Sequence, residues 1–447
     1  YNSFDNLIAV TDPLTNTLQL AYNEVGQITN AVDPRGTVQR IAHDPLKRVS
    51  QVFDAFGAPE QTVQTTLYDA NNNLVTNINA LGVVTAYRYD AANRRVASIF
   101  AMGTPDEVIV SNRYDSRGLL VCSIDGRGQS TVLDYDVLGR NIALTDPLNH
   151  TTRSSYDNRG LLAAIEQPNG HTVRYEYDRY GRRVKVIDDG HAATTRYDLL
   201  DRPIERTDFN NVISQTDYDA VGNVRRQVEA AYLDEQRITT YEYDANNRPV
   251  TIVNALTNSV EYQYDALGRR IQSKDELGRS SFYSYDAAGN VSSVIKPDGT
   301  VLSNVYDALN RRVASAVGGE VCQQFGYDLL SRMTNAVDYN RSGAGDDAVV
   351  AYQYDALNRV MRESQNGRDL VREYDENGNI VQVTYPSGQT VTRDFTENNQ
   401  LGAVHSGGRT FATYTYTENS RIDTVEYGNG VQETRGYDGR DIMNRLA

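Results

Sequence analysis

The heptapeptide YDALGRR, Tyr264 to Arg270, returns as YDALNRR at Tyr306 to Arg312, with Asn310 standing where Gly268 stood. Setting a marker on each Tyr equivalent to Tyr264 places markers at 1, 22, 43, 68, 89, 114, 135, 156, 177, 197, 218, 243, 264, 285, 306, 327, 354, 374, 395, 416 and 437, which is 21 units in register. The steps are 20 or 21 residues, except for 25 after markers 43, 89 and 218, and 27 after marker 327. Nineteen markers are Tyr, His43 and Phe395 being the exceptions, and Asp follows in 17 of the 21 units. A fixed period of this length makes the chain an array of one supersecondary unit rather than a set of unrelated domains.

The Gly/Asn exchange identifies the unit. Four residues past the marker stand nine Gly, six Asn and three Asp, with Lys47, Ser331 and Ser420 completing the set. Gly, Asn and Asp are the residues that tolerate positive φ, so this position requires left-handed backbone. Asp at the first corner followed by two permissive residues and a left-handed one describes a type I turn closing in a bulge. A second turn falls about eleven residues after the marker, as DPRG at Asp33, DPLN at Asp146, QPNG at Gln167, KPDG at Lys296, YPSG at Tyr385 and YGNG at Tyr427. Pro early and Gly late is tight-corner chemistry.

Between the turns lie short segments of period 2. In TVRYEYD, Val173, Tyr175 and Tyr177 share one face while Thr172, Arg174 and Glu176 share the other. Each unit therefore reads as a β-hairpin, and the chain as a continuous antiparallel meander. Two further expectations follow. The marker Tyr rings stack in rows on successive strands. The Arg that follows the first turn in 11 of 21 units, Arg94, Arg140, Arg182, Arg269, Arg311 and Arg359 among them, pairs with carboxylates or turn carbonyls of a neighbouring unit. The four long steps read as hairpins with two extra residues per strand.

Composition narrows the function. The chain has 447 residues with 44 basic against 59 acidic, a net charge of −15, and no long basic run. That argues against affinity for nucleic acid or an anionic membrane. No apolar run reaches the length of a bilayer-spanning helix. Cys122 and Cys322 form no ligand pair and read as half-buried strand thiols. Tyr reaches 31 residues while Trp is absent.

A tyrosine–aspartate unit of this length, YDxxGR followed by DPxG, resembles the YD-repeat or Rhs family, and the resemblance covers the chain from Tyr1 to Ala447. The family holds bacterial Rhs toxins, cocoon-forming subunits of insecticidal toxin complexes, wall-associated toxins and the animal teneurins. The resemblance implies an all-β repeat architecture, a continuous antiparallel β-hairpin ribbon spiralling into a hollow shell or tube. In the toxins that shell encloses a variable C-terminal domain; in teneurins it belongs to a cell-surface adhesion ectodomain. The family's toxins end the shell with a self-cleaving core motif. Asp33 and Asp146 resemble it only superficially because they occupy ordinary second-turn positions, so self-cleavage is carried over to no residue here. Residues 1–447 are read as a single YD-repeat shell segment of about 21 units and a fragment of something longer. Some 42 strands at ~4.8 Å give a ribbon roughly 200 Å long, too short to close around a folded enzyme.

Catalytic signatures are missing: the sequence has no H-E-x-x-H, P-loop, G-x-S-x-G or G-x-G-x-x-G pattern. His43 reads as a ring replacing Tyr, while His150, His171 and His191 read as solvated residues at second turns. The pair His405–Ser406 reads as a hairpin corner. In the longest unit, DYNRSGAGDD places Asp338, Asn340, Ser342 and Asp346 as alternate oxygen ligands around Gly343, a weak calcium-loop candidate. Val349 at the twelfth position, where such loops carry Glu, speaks for a plain turn. Sequons at Asn149, Asn290 and Asn340 are near chance in so Asn-rich a chain.

The leading expectation is a non-enzymatic structural shell or carrier, encapsulating or presenting a domain, a toxin by the resemblance, encoded outside this segment of the same polypeptide. The alternative is an extracellular adhesion or filament scaffold binding carbohydrate or protein partners. Either implies a secreted or cell-surface location, with no nucleic-acid partner and no membrane insertion by this segment.

Overall fold

The computed structural model describes residues 1–339, 347–438, 440 and 442–446. Among these every regular element is a strand, and the 41 strands form an antiparallel sheet in which neighbours in sequence pair. The hairpin ribbon expected from the repeat is the fold.

The turn at Asp265 shows how the sequence builds it. Asp265 N donates to the Arg269 carbonyl at 2.9 Å, and Gly268 N to the Asp265 carbonyl at 3.0 Å, with Gly268 at φ 81°. One carboxylate oxygen of Asp265 accepts from the amides of Leu267 and Arg269, both at 2.9 Å. An Asp here satisfies amides that the turn leaves unpaired, which is why short side-chain acceptors favour such corners. The strands then re-enter pairing with Tyr264 opposite Arg270 and a register shift at Gln263/Tyr264, the predicted bulge. Every described residue four past a marker has positive φ, including Lys47 at 67°, Ser331 at 62° and Ser420 at 64°.

Most second turns repeat this geometry, as at Asp33, whose carboxylate takes the amides of Arg35 and Thr37. Four corners are instead two-residue turns with consecutive positive φ: Asp189–Gly190, Gly318–Gly319, Asn366–Gly367 and Gly407–Gly408. This is the type I′ geometry that matches strand twist. It accounts for the 20-residue steps from 177 and 354. After Gly318–Gly319 and Gly407–Gly408 an extra bulge, at Ser315/Ala316 and Val404/His405, restores the usual step.

Three of the four long units differ from expectation, the tip of the fourth lying outside the described residues. Their strands lengthen unevenly, as in Arg95–Met102 and Val108–Tyr114, and much of the insertion forms a double turn at the tip. Residues 55–61, 101–107 and 230–236 each make two successive four-residue turns that share a residue, such as Ala58 N to Ala55 O and Gln61 N to Ala58 O. The first residue, Ala55, Ala101 or Ala230, is left-handed, and so is the third, Gly57, Gly103 or Tyr232. Adding residues at the tip disturbs fewer strand pairs than extending both strands.

The chain divides into two compact units: 1–109 with 261–372 and 384–386, and 110–260 with 373–383 and 387–447. Each combines early and late stretches of ribbon. Fully buried residues are few and small, among them Ala101 in the first unit and Cys122, Ala143 and Val425 in the second. Cys122 is thus more deeply buried than a half-covered strand thiol, while Cys322 is intermediate. With so thin a core, polar order along the turns takes on much of the work of fixing the ribbon.

Candidate functional site: the turn edges of the ribbon

The marker Tyr residues are anchored one by one. Tyr135 donates its hydroxyl to the carbonyl of Leu120 at 2.8 Å, Tyr156 to Asn141 at 2.8 Å and Tyr285 to Arg270 at 2.7 Å, each 15 residues back along the chain. The acceptor is the residue just past the previous first turn, so each phenol ties one hairpin to the next. Burial raises the pKa of Tyr285 and Tyr354, so the phenols remain protonated donors.

The Arg after the turn serves two units. Arg269 donates Nε to Asp265 Oδ2 at 2.7 Å, and its guanidinium lies 4.4 Å from the ring centre of the next marker, Tyr285. Arg140 over Tyr156, Arg202 over Tyr218 and Arg332 over Tyr354 repeat this at 4.6, 4.5 and 4.4 Å. Arg311 and Arg332 also reach forward to the carbonyls of Asp328 and Asp355. For these residues the carboxylate partner lies in the same unit and the carbonyl in the next, whereas Arg182 also pairs with the carboxylate of Asp201 in the next unit at 2.7 Å. The expected row of stacked Tyr rings is corrected as well. Markers ride on every second strand, about 9.5 Å apart, too far for ring contact. A guanidinium fills that gap, adding cation–π attraction to each link.

The second turns, read from sequence as hairpin corners, meet first turns from much later in the chain. In the second unit Asn377 Nδ2 donates to Asp125 Oδ2 at 2.6 Å, Asn398 to Asp146 at 2.5 Å, and Asn419 to Gln167 Oε1 at 2.5 Å. All three pairs are 252 residues apart. Arg127 reaches across to Thr396 O at 3.0 Å, Phe395 O at 3.2 Å and Asn399 Oδ1 at 3.1 Å, with Asp375 at 3.7 Å. In the first unit Arg35 does the same with the carbonyls of Asp307 and Ala308 and the carboxylate of Asp286. Asp106, in a double-turn tip, accepts from the amide of Ala356 at 2.9 Å. Within each unit, then, one course of ribbon lies edge to edge on another, about twelve hairpins further along. Leu309, next to Ala308, and Leu330, beside the second turn at Asn79, are half-buried in this seam.

Comparison with known proteins matches the repeat and the fold. The teneurin YD-shell family matches residues 1–214, and the RHS repeat matches 243–280 and 264–301. The chain belongs to the YD-repeat (Rhs) family. The fold of this YD-repeat chain is similar to that in the crystal structure of TcdB2-TccC3-Cdc42, with TM-score 0.73 and 14% identity over 96% of this chain and 28% of that one. It is similar to TcdB2-TccC3, with TM-score 0.72 and 15% identity over 97% and 28%. The Photorhabdus luminescens Tc holotoxin pore gives TM-score 0.67 and 14% identity over 94% and 26%. The chain thus spans under a third of the length of these structures. No curated protein sequence matches it significantly.

Of the calcium-loop candidates, Asp338 closes the strand Met333–Asp338 and accepts from Gln323 Nε2 at 3.3 Å. Asn340, Ser342 and Asp346 lie outside the described residues. Two of the histidines at the second turns are more engaged than solvated corners would be: His171 Nε2 lies 2.5 Å from Asp188 with its side chain 12% exposed, and His150 pairs with Asp146, whereas His191 is exposed as expected. His405 lies 2.9 Å from Asp394 and Ser406 donates to Thr390 O, so each is tied into the hairpin that carries it. The seam residues Arg35, Arg127, Asn377, Asn398 and Asn419 were missed by sequence reasoning. Three consecutive EN pairs, at 376, 397 and 418, were the one signal available.

Proposed function

We propose that this YD-repeat chain is a non-enzymatic segment of a structural shell, encapsulating or presenting a domain encoded elsewhere in the same polypeptide, with a toxin as the cargo. The observation that carries the reading is the edge-to-edge seam. Hairpin courses joined by repeated amide–carboxylate and guanidinium–carbonyl bonds make a wall from a single sheet, and a wall is what a carrier needs. The polar groups that a search for an active site would pick out, the marker Asp and Arg residues, are already spent on turn closure and unit linkage. Similarity to toxin-complex structures supports a secreted protein.

The test is limited proteolysis of the natural full-length polypeptide beside its isolated adjoining domain. Protection of that domain in the full-length protein until the shell is denatured is the expected result. Digestion at the same rate in both would replace the carrier with an extracellular scaffold, whose carbohydrate or protein partners would then be sought by direct binding.

A further inference from the structure

Along the seam, first turns are bonded to the corners they meet. Arg35 reaches the carbonyls of Asp307 and Ala308, and Asp106 takes the amide of Ala356. Asn377, Asn398 and Asn419 bond their corners directly. The first turn at 328–331 is different. Among the described residues it makes no hydrogen bond across the seam. The corner beside it, 79–82, carries Leu81 in the place that Arg35 and Arg127 hold in theirs.

The double-turn tip at 55–61 explains the gap. Phe56 packs edge-on against Phe53 with 5.8 Å between ring centres, and the Arg40 guanidinium lies 5.0 Å from the Phe56 ring. Arg40 and Phe53 are partners in the ladder, on the face of the ribbon opposite Gln39 and Asp54. The tip therefore folds away from the face that carries Asp54. What remains in the first unit is a cavity of about 640 Å³ between these strands and the turns at 307–310 and 328–331. That volume suits a small organic molecule.

Its lining is short of donors. Leu18, Leu309 and Leu330 supply apolar wall. Asp54 is half-buried, and its Oδ1 accepts from Gln39 Nε2 at 2.7 Å. Among the described residues no cation pairs with it. Gln64 spends its Nε2 on Asn77 Oδ1 at 3.0 Å, which leaves its own carbonyl oxygen to accept. The carbonyl of Leu329, equivalent to the Ala308 carbonyl that Arg35 takes, carries no hydrogen bond among the described residues.

We propose that this cavity binds an alkylguanidinium, free or as the arginine side chain of a peptide, and that the ligand bridges the seam where the sequence supplies no arginine of its own. A guanidinium carries only donors, in a planar fork that suits a carboxylate and carbonyls together. Its alkyl stem lies along the leucines. A hard metal ion would find one carboxylate and too few further oxygens. The cavity is made by the seam alone and needs no cargo, so this inference and the carrier reading fail separately.

The experiment is hydrogen exchange on the natural full-length protein with millimolar butylguanidinium as the probe. Exchange over 328–331 should slow by roughly fivefold, as expected for a ligand at several times its Kd, while exchange over 396–399 stays unchanged. Asp54→Asn keeps the acceptor for Gln39 and removes the charge, and should abolish the slowing. Unchanged exchange over 396–399 without ligand shows that this variant is folded. Gln64→Leu is the second variant and should weaken the response. The same titration with acetyl-Leu-Arg-amide separates the sources. An Asp54-dependent response at much lower concentration than butylguanidinium supports a peptide-borne arginine, and an equal one supports a free guanidinium. No slowing in the unaltered protein, slowing that persists in Asp54→Asn, or equal slowing by tetramethylammonium, a cation without N–H donors, would overturn the proposal.

Discussion

Arg127 donates to the carbonyl oxygen of Thr396, 269 residues further along the chain, at 3.0 Å. The same guanidinium reaches Phe395 O and Asn399 Oδ1, so one side chain holds most of a first turn from across the seam. Arg127→Ala leaves these acceptors to water and is expected to lower the local opening energy of the seam by about 1–2 kcal/mol. Hydrogen exchange read over residues 374–379 and 395–400 should then speed up by roughly tenfold, while exchange in 261–372 stays unchanged. Arg127→Lys keeps the charge without the planar fork and should rescue only part of the protection.

Tyr285 couples its hairpin to the preceding one through the carbonyl of Arg270. Tyr285→Phe keeps the ring under Arg269 and removes only the hydroxyl. A loss of about 1 kcal/mol is expected, seen as a lower midpoint in urea with an unchanged slope. Arg269→Ala removes the cation–π contact, the ion pair with Asp265 and the fill between two rings, and should cost more than Tyr285→Phe. An equal or smaller cost would mean that the guanidinium does not hold the row.

Lys47 takes the left-handed conformation that nine other units give to Gly. Its carbonyl accepts from Gln27 Nε2, a contact that any residue here would keep. Lys47→Gly should therefore stabilise the chain by about 0.5–1 kcal/mol, because relief of left-handed strain exceeds the added freedom of the unfolded chain. Lys47→Val should destabilise it, since a β-branched residue is disfavoured at positive φ. Thermal midpoints of the three proteins give the order directly.

Acid should loosen the turns. The side-chain hydrogen bond from Arg94, joined by its backbone amide, holds Asp90 below the usual carboxylate range; Arg248 does the same for Asp244 and Arg279 for Asp275. A carboxylate whose pKa is lower folded than unfolded binds fewer protons in the folded state. Its contribution is complete above the unfolded value, near pH 4, and is lost as pH falls through the folded value. Stability against urea should thus be flat from neutral pH to about 4.5 and fall below about 4. Asp90→Asn, which keeps the turn acceptor and removes the charge, should shrink that fall. A fall that begins well above about pH 4.5 would overturn this account.

The local structure was written in the sequence because its causes lie within a few residues. A left-handed position admits Gly, Asn or Asp most readily, and an Asp carboxylate takes amides two and four residues ahead, so Asp265 and Gly268 fix their turn whatever surrounds them. The alternation of Val173, Tyr175 and Tyr177 needs only the pleat. Interleaving of Arg269 with Tyr285 already required more, the spacing of strands two apart, and the simple stacking of rings was the wrong picture. The seam required the whole course. Leu138 and Leu330 occupy the same place in the repeat, yet one is exposed and the other half-buried. Arg127, in an ordinary corner, finds its partners 269 residues away. That separation is set by the twist and curvature of every intervening hairpin, summed over the course. Small angles that no single unit encodes strongly add up to decide which edge meets which, and only the tertiary structure carries out that sum.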